Sequence, residues 1–248
     1  MKGVRRTAVA MLLAVLAVVP ATAAEVTIAV AANFTAASKE IALRFEEATK
    51  HTVELSFGAS GQLYAQVKQG APFDILMSAD TEFPRKLADE GLAVADTRFT
   101  YAVGKLVLWS LSAGRLDDDT LRRGAFAHIA IADPFVAPYG AAAIEVLKSL
   151  GLEERLRPKF VQGATISQTF EFIASGNADL GFVALSQLAK VEHGSRWDVP
   201  DQLYTPIRQD AILLKAGAKN AAAVAFLAFL KGPEATAIVR RYGYGVAD

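Results

Sequence analysis

The strongest constraint on the fold is the alternation of short apolar runs with helical patterns. Residues 26–31 are typical of a buried strand, and apolar residues at steps of three and four between residues 34 and 48 mark one face of a helix. The same order recurs twice before residue 91, and a second set of strands and helices covers residues 128–184. Strands that alternate with helices predict parallel sheets covered by helices, so we expect an α/β protein.

Two longer predicted strands lie where the chain would pass between two such units. They cover residues 101–110 and 204–215, and two predicted helices, 220–231 and 234–242, complete the chain. No linker of low complexity separates the two sets of strands. We therefore expect the chain to cross into a second unit and to return, with these two strands as the crossovers.

Residues 1–24 form a separate segment. A basic start at residues 2–6 precedes an apolar stretch at residues 8–19, and small residues follow up to Ala24. This is the layout of a secretory signal peptide, cleaved after Ala23 or Ala24, and the apolar stretch is too short to span a membrane comfortably. Because the chain has no cysteine to carry a lipid anchor, we expect a soluble protein in a Gram-negative periplasm.

Charge and cysteine content exclude several classes of function. The chain has 26 basic and 26 acidic residues, and loss of the three basic residues in the signal segment leaves 23 against 26, a net charge of −3. A mildly acidic protein lacks the basic surface that nucleic acid requires. The absence of cysteine also rules out a disulfide scaffold, a thiolate metal site and a cysteine nucleophile.

Four predicted junctions between a strand and a helix share an unusual composition. They are residues 31–35, 58–62, 137–141 and 163–167, and none contains Lys, Arg or His. The first amides of a helix lack intrahelical partners, and the helix dipole adds about +0.5 charge at that end. Open α/β sheets bind ligands at such junctions, so four of them aimed at one point would bind a dianion through neutral donors.

Each junction also has a purely structural interpretation. Asn33 or Ser60 taken singly would be an ordinary helix cap, so the hypothesis of a site depends on the four junctions together. Asp133 is the only acid near them, and an Asx-type turn before Pro134 explains it. A phosphate that keeps a proton would need an acceptor facing it, whereas neutral donors suit a fully deprotonated oxyanion.

Seven strings spread over the mature chain carry a resemblance to a known family. They are VAANFTAA, FGASGQLYAQV, QGAPFDILMSAD, FTYAVGKLVLWS, IADPFVAPYGAAA, SGNADLGFVALSQL and LKGPEATAIVRRYGYG. With these strings the chain resembles the periplasmic molybdate-binding proteins of ABC transporters, which belong to the type II periplasmic binding protein superfamily. The resemblance covers essentially the whole mature chain.

The resemblance implies which residues hold the ligand. They are Ala32, Asn33, Ser60, Tyr139 and Ile166. Tyr139 and Ile166 would contribute backbone amides, and Ala32 stands where related members carry a hydroxyl, so it can offer only its amide. Molybdenum would be bound only as the oxyanion, through these same residues, and no cofactor is expected.

The resemblance also implies the architecture and the function. It predicts two lobes, each a mostly parallel sheet flanked by helices, joined by two crossover strands: residues 25–102 with 208–248, and residues 103–207. The protein would be a monomer that captures molybdate, and also tungstate, in the cleft between the lobes. It would then deliver the anion to the permease of an ABC transporter, whose ATPase supplies the energy.

Two other functions stay open on the sequence alone. One is a binding protein for another oxyanion, such as sulfate or phosphate; a carboxylate binder would need an arginine, and the four junctions have none. The other is a periplasmic hydrolase. Residues 58–61 imitate a nucleophile elbow, but Gln62 stands where a glycine is required, and His51, His128 and His193 are scattered. We therefore expect no enzyme.

Overall fold

Ten strands form two five-stranded sheets within residues 23–112 and 114–246, the part of the chain that the computed structural model describes. The strands are β1 (Glu25–Ala31), β2 (Thr52–Gly58), β3 (Ile75–Met77), β4 (Phe99–Gly104), β5 (Leu106–Ser110), β6 (Ile129–Ala132), β7 (Phe160–Gly163), β8 (Leu180–Ala184), β9 (Ser195–Asp198) and β10 (Ile207–Leu213). The predicted signal peptide lies outside the described residues, except for Ala23 and Ala24.

Each sheet is mostly parallel. The spatial order is β2-β1-β3-β10-β4 in the first sheet and β7-β6-β8-β5-β9 in the second. β10 runs antiparallel to both of its neighbours, and so does β5, while the other pairs are parallel. Four of the five strands in each sheet therefore point the same way, which confirms the α/β class predicted from the alternation.

The crossovers differ in detail from the prediction. The strand expected over residues 101–110 is two strands, β4 and β5, which belong to different sheets and are separated only by Lys105. The return strand is shorter than expected, because it begins at Ile207 directly after Pro206, which has no amide proton for a ladder. β9, a half-exposed edge strand, was not predicted. The division into lobes at residues 102 and 208 stays a prediction.

Nine helices cover the sheets in the described ranges. They are α1 (Thr35–Thr49), α2 (Ser60–Lys68), α3 (Glu82–Asp89), α4 (Asp118–Arg123), α5 (Pro138–Ser149), α6 (Glu153–Leu156), α7 (Ile166–Ala174), α8 (Ala221–Leu230) and α9 (Pro233–Arg241). Most of them end in polar or glycine-containing loops, as the sequence predicts. Among the described helices, none alone is long and apolar enough to cross a membrane; α8 and α9 reach that length only together, across a bend of 60°.

The helices pack through the apolar faces that the periodicity predicted. Ile41 and Phe45 of α1 are fully buried against the first sheet, where Phe45 meets Phe226 of α8 edge to face at 5.2 Å. In the second unit, Ala143 and Val146 of α5 are buried in one core with β5, β6 and β8. Burial of a large apolar side chain stabilises the fold by about 1.5–3 kcal/mol, so these faces fix the helix positions and, with them, the helix starts.

Candidate functional site

The carboxyl ends of five strands, three from the first sheet and two from the second, meet at one small cavity. It is lined by residues 31–33, 58–60, 79, 137–139 and 166, which end or follow β1, β2, β3, β6 and β7. The cavity measures about 10 Å³, room for about one water-sized sphere. Sites for organic ligands and cofactors span about 300–1,000 Å³, so this cavity has the size for a small ion rather than for an organic molecule.

Four segment starts surround this cavity. They are a 3-10 turn at Ala32–Phe34 and the first turns of α2, α5 and α7. The residues predicted for the site, Ala32, Asn33, Ser60, Tyr139 and Ile166, all line the cavity, and none is more than 7% exposed. Apart from the Gly61 and Gly140 amides, which donate to the carbonyls of Val136 and Ala137, the first amides of these segments are expected to be free to donate to a guest in the cavity.

The electrostatics of the cavity come from dipoles alone. Among the described residues that line it, none is Lys, Arg, His, Asp or Glu. The Asp133 carboxylate turns away and accepts the amide of Phe135 at 3.0 Å, the Asx-type turn that the sequence predicted. A guest in this cavity would meet positive helix ends and no facing carboxylate, an arrangement that favours an anion without a proton.

Ser60 is a hydroxyl donor in the first turn of α2. Its Oγ accepts the backbone amide of Ala79 at 2.9 Å, and the residue is fully buried. The residue that precedes α2 is Ala59, so Ser60 is not the ordinary cap that the structural interpretation suggested. Because the Ala79 amide occupies a lone pair of Oγ, the hydroxyl proton is available to an acceptor in the cavity.

The side chain of Asn33 turns away from any guest. Its Nδ2 donates to Oε1 of Gln209 at 2.9 Å and to the hydroxyl of Tyr244 at 3.0 Å, which uses both amide protons. It makes no capping bond to the turn or to α1. The donor that Asn33 can offer to the cavity is therefore its backbone amide.

Tyr139 also reaches away from the cavity with its side chain. Its ring is buried, and its hydroxyl accepts Nε2 of Gln209 at 3.1 Å. A Cβ atom on Gly104 would overlap this hydroxyl, so glycine at the end of β4 makes room for it. Burial raises the pKa of Tyr139 well above its usual value, and the hydroxyl stays protonated at physiological pH.

Several hydrogen bonds join elements of the first sheet to elements of the second beside the cavity, and three of them end on backbone carbonyls. The Gly61 amide donates to the carbonyl of Val136 at 2.9 Å. Ser167 Oγ donates to the carbonyl of Ala32 at 3.2 Å, and Ser186 Oγ donates to the carbonyl of Asn33 at 3.0 Å. These bonds hold the segment starts of both sheets around one enclosed space.

Three buried polar residues next to the site were missed by the sequence reasoning. They are Gln209, Tyr244 and Ser186, which bond to Asn33 or Tyr139. One signal was present: Gln209 and Asp210 are buried polar residues of β10, whose other polar residue, Arg208, is exposed. A buried polar side chain in the middle of a strand requires a partner, and here Gln209 finds its partners at the cavity.

Asp80 follows Ala79 at the edge of the cavity, and we expect it to make the free energy of unfolding depend on pH. Its carboxylate accepts the Phe83 amide at 2.8 Å and the Ser78 hydroxyl at 3.2 Å, and burial raises its pKa to about 6. In the unfolded chain this carboxyl titrates at about pH 3.9, the usual value for Asp. Between about pH 3.9 and about pH 6, the Asp80 carboxyl therefore keeps its proton only in the folded state. The free energy of unfolding should therefore fall as the pH rises from about 4 to about 6.

Replacing Asp80 by asparagine tests this expectation. The Asp80→Asn variant should lose that part of the pH dependence, since its amide cannot ionise but can still accept the Phe83 amide. Urea unfolding of the wild type and the variant between pH 4 and pH 8 measures it. Asp89→Asn, at an exposed site on α3 that pairs with Arg85, is the matched control. An identical pH profile for wild type and Asp80→Asn would contradict the expectation.

Two comparisons with known proteins fit this geometry. Residues 26–245 match the family model described as bacterial extracellular solute-binding protein. The chain also superimposes on the periplasmic molybdate-binding protein of Azotobacter vinelandii with a TM-score of 0.87 and 40% identity, covering 90% of this chain and 100% of that one. The chain belongs to the bacterial extracellular solute-binding protein family.

The sequence relatives narrow this class. The molybdate-binding protein ModA of Rhodobacter capsulatus is 58% identical over 226 residues, 91% of this chain and 90% of that protein. The molybdate-binding protein ModA of Azotobacter vinelandii is 54% identical over 231 residues, 91% of this chain and 92% of that protein. Within the class, the chain therefore belongs to the family of the ModA molybdate-binding proteins.

Proposed function

We propose that this protein captures molybdate in the cavity at the four segment starts and delivers it to the permease of an ABC transporter. The observation that carries the proposal is the lining of the cavity: backbone donors and a serine hydroxyl, with no charged side chain among the described residues. Two relatives that are 58% and 54% identical to this chain are named molybdate-binding proteins, which supports molybdate as the anion.

The donors have the strength that such an anion requires. Four segment starts, each equivalent to about +0.5 charge, match the two negative charges of a molybdate ion. A hydrogen bond to a charged group contributes about 1.5–3 kcal/mol, so six or seven of them support dissociation constants between micromolar and nanomolar. The proposed ligands are the backbone amides of Ala32, Asn33, Tyr139 and Ile166 together with the Ser60 hydroxyl.

Selectivity would follow from fixed donors in a small space. Tungstate has almost the same size and charge as molybdate, so we expect it to bind as well. Sulfate is smaller and cannot reach all donors at once. A phosphate that keeps its proton would leave that proton without an acceptor, since no carboxylate lines the described part of the cavity.

Capture and release would require the two sheets to move apart and together. We propose that residues 25–102 with 208–248 form one lobe and residues 103–207 the other, and that they close around the anion by a hinge motion at the crossovers. The bonds of Gly61 and Ser167 across the cavity are bonds of the closed form. The closed protein, a periplasmic monomer after removal of the signal peptide, would be recognised by the permease, so the role is binding and not catalysis.

Calorimetric titration of the purified mature protein tests this function. We expect heat of binding and a higher melting temperature with molybdate and with tungstate, because a ligand that binds only the folded state stabilises it. Sulfate and phosphate at the same concentration should give neither. A response to sulfate or phosphate in the absence of a response to molybdate would assign the site to another oxyanion, and no response to any of the four would refute anion binding.

A further inference from the structure

We propose that Gln209 is the positioning residue of the anion site. In this proposal it does not touch the anion, and its side-chain amide holds Asn33 and Tyr139 so that their backbone amides point into one cavity. The inference depends on the function proposed above. It assigns a role in that function to a residue that does not line the cavity and is not among the proposed ligands.

Gln209 lies in the strand by which the chain returns to the first sheet. It belongs to β10, is completely buried, and stands at a shift in register between β10 and β4, directly before Asp210. A buried amide without partners destabilises a fold, so its partners are the reason that a polar side chain is tolerated here. Two of these partners, Asn33 and Tyr139, line the cavity.

On one side, the amide of Gln209 fixes the first segment start. Its Oε1 accepts Asn33 Nδ2 at 2.9 Å and lies 3.1 Å from the hydroxyl of Tyr101, which holds it from behind. Asn33 belongs to the 3-10 turn Ala32–Phe34, and both Ala32 and Asn33 line the cavity. Since the Asn33 side chain is rigidly bonded, the orientation of its own backbone is fixed as well.

On the other side, the same amide fixes the third segment start. Its Nε2 donates to the hydroxyl of Tyr139 at 3.1 Å, and within the described ranges no other group hydrogen-bonds to this hydroxyl. Tyr139 lies in the first turn of α5, which packs on the second sheet. One buried side chain therefore connects a donor turn of the first sheet to a donor helix of the second.

This connection sets the distance between donors that must bind the same anion. A hydrogen bond reaches its full strength only within a narrow range of distance and angle, so donors on two sheets must be held in register for all of them to contact one guest. Without the Gln209 amide, the Tyr139 hydroxyl loses its partner and the side chain of Asn33 keeps only the bond to Tyr244. The affinity should fall although no contact to the anion has been removed.

Replacement by methionine, which has a similar length and no amide, tests the proposal. We expect Gln209→Met to weaken binding of molybdate about tenfold, and of tungstate by the same factor, because the change affects the position of the donors and not their identity. Gln162→Met, the same substitution at an exposed position of β7, is the matched control and should bind like the wild type. Affinity of Gln209→Met within twofold of the wild type would overturn the proposal.

A second variant separates positioning from a role in stability alone. Tyr139→Phe keeps the backbone amide at the cavity and removes only the contact with Gln209, so it should also weaken binding. The double variant Gln209→Met/Tyr139→Phe should lose less affinity than the product of the two single losses predicts, since the two side chains share one hydrogen bond. If the melting temperature falls in Tyr139→Phe while the affinity stays unchanged, Gln209 only stabilises the fold and the proposal is wrong.

The outcome also distinguishes this inference from the proposed function. If the wild type binds no oxyanion, the proposed function and the inference fail together. If the wild type binds molybdate and both variants bind it equally well, only the inference fails. Should Gln209→Met not fold, as judged by circular dichroism, Tyr139→Phe decides the question by itself.

Discussion

Replacing Gly61 by valine is expected to weaken molybdate binding by about 10- to 100-fold, which corresponds to the 1–3 kcal/mol that overpacking costs. The Gly61 amide donates to the carbonyl of Val136 across the cavity at 2.9 Å. A Cβ atom at this position would lie 3.0 Å from Cα of Val136 and 3.1 Å from the ring of Phe83. The backbone of Val136 cannot turn away as a side chain could, so the two sheets could not approach to their present distance.

The empty protein should tolerate this change. If the lobes separate in the absence of the anion, as we propose, a valine at position 61 then meets no neighbour from the second sheet. It still meets the ring of Phe83, but this side chain can shift, so the melting temperature without anion should stay close to that of the wild type. Ala65→Val places the same side chain on the exposed face of the same helix and serves as the control. If calorimetry shows that Gly61→Val and Ala65→Val bind molybdate with the same affinity, closure through this contact is refuted.

Replacing Ser60 by alanine is expected to weaken molybdate binding by about 10- to 100-fold, since the loss of a hydrogen bond to a charged group costs about 1.5–3 kcal/mol. The hydroxyl accepts the Ala79 amide at 2.9 Å, and this bond leaves its proton available to an acceptor in the cavity. Alanine removes the donor and also leaves the buried Ala79 amide without its acceptor. We therefore expect a lower melting temperature in addition to the lower affinity.

A buried serine elsewhere separates these two effects. Ser38 of α1 is also fully buried, and its hydroxyl donates to the carbonyl of Thr35 without lining the cavity. Ser38→Ala should lower the melting temperature and leave the dissociation constant for molybdate unchanged. Equal dissociation constants for Ser60→Ala and the wild type would show that Ser60 supports the Ala79 amide and does not bind the anion.

The secondary structure was predictable where a local pattern is strong. The apolar face of α1 and the buried strand β1 follow directly from spacing, and both occur where expected. β9 was missed because its four residues, SRWD, are half exposed and carry no clear alternation of apolar and polar side chains. The break between β4 and β5 was missed because both halves are apolar, and only their pairing with different sheets separates them.

The grouping of the helix starts within each sheet was predictable, whereas their meeting across the two sheets and the roles of several side chains were not. The five residues that the resemblance implied line one cavity, and helix starts after parallel strands lie at one edge of each sheet. That these residues bind an anion stays a prediction. The sequence could not show that Asn33 and Tyr139 direct their side chains away from that cavity. Their partner, Gln209, is 176 residues from Asn33 and 70 residues from Tyr139 along the chain.

What the sequence by itself determined is therefore the class of the fold, the neutral composition of the four helix starts and the absence of a cation from them. These properties are local, since periodicity and unpaired first-turn amides depend on neighbours within a few residues. The tertiary structure alone decided that the starts surround one space and that the Gln209 amide connects two of them. Contacts across many residues depend on how the two sheets pack, and no short stretch of the chain specifies that packing.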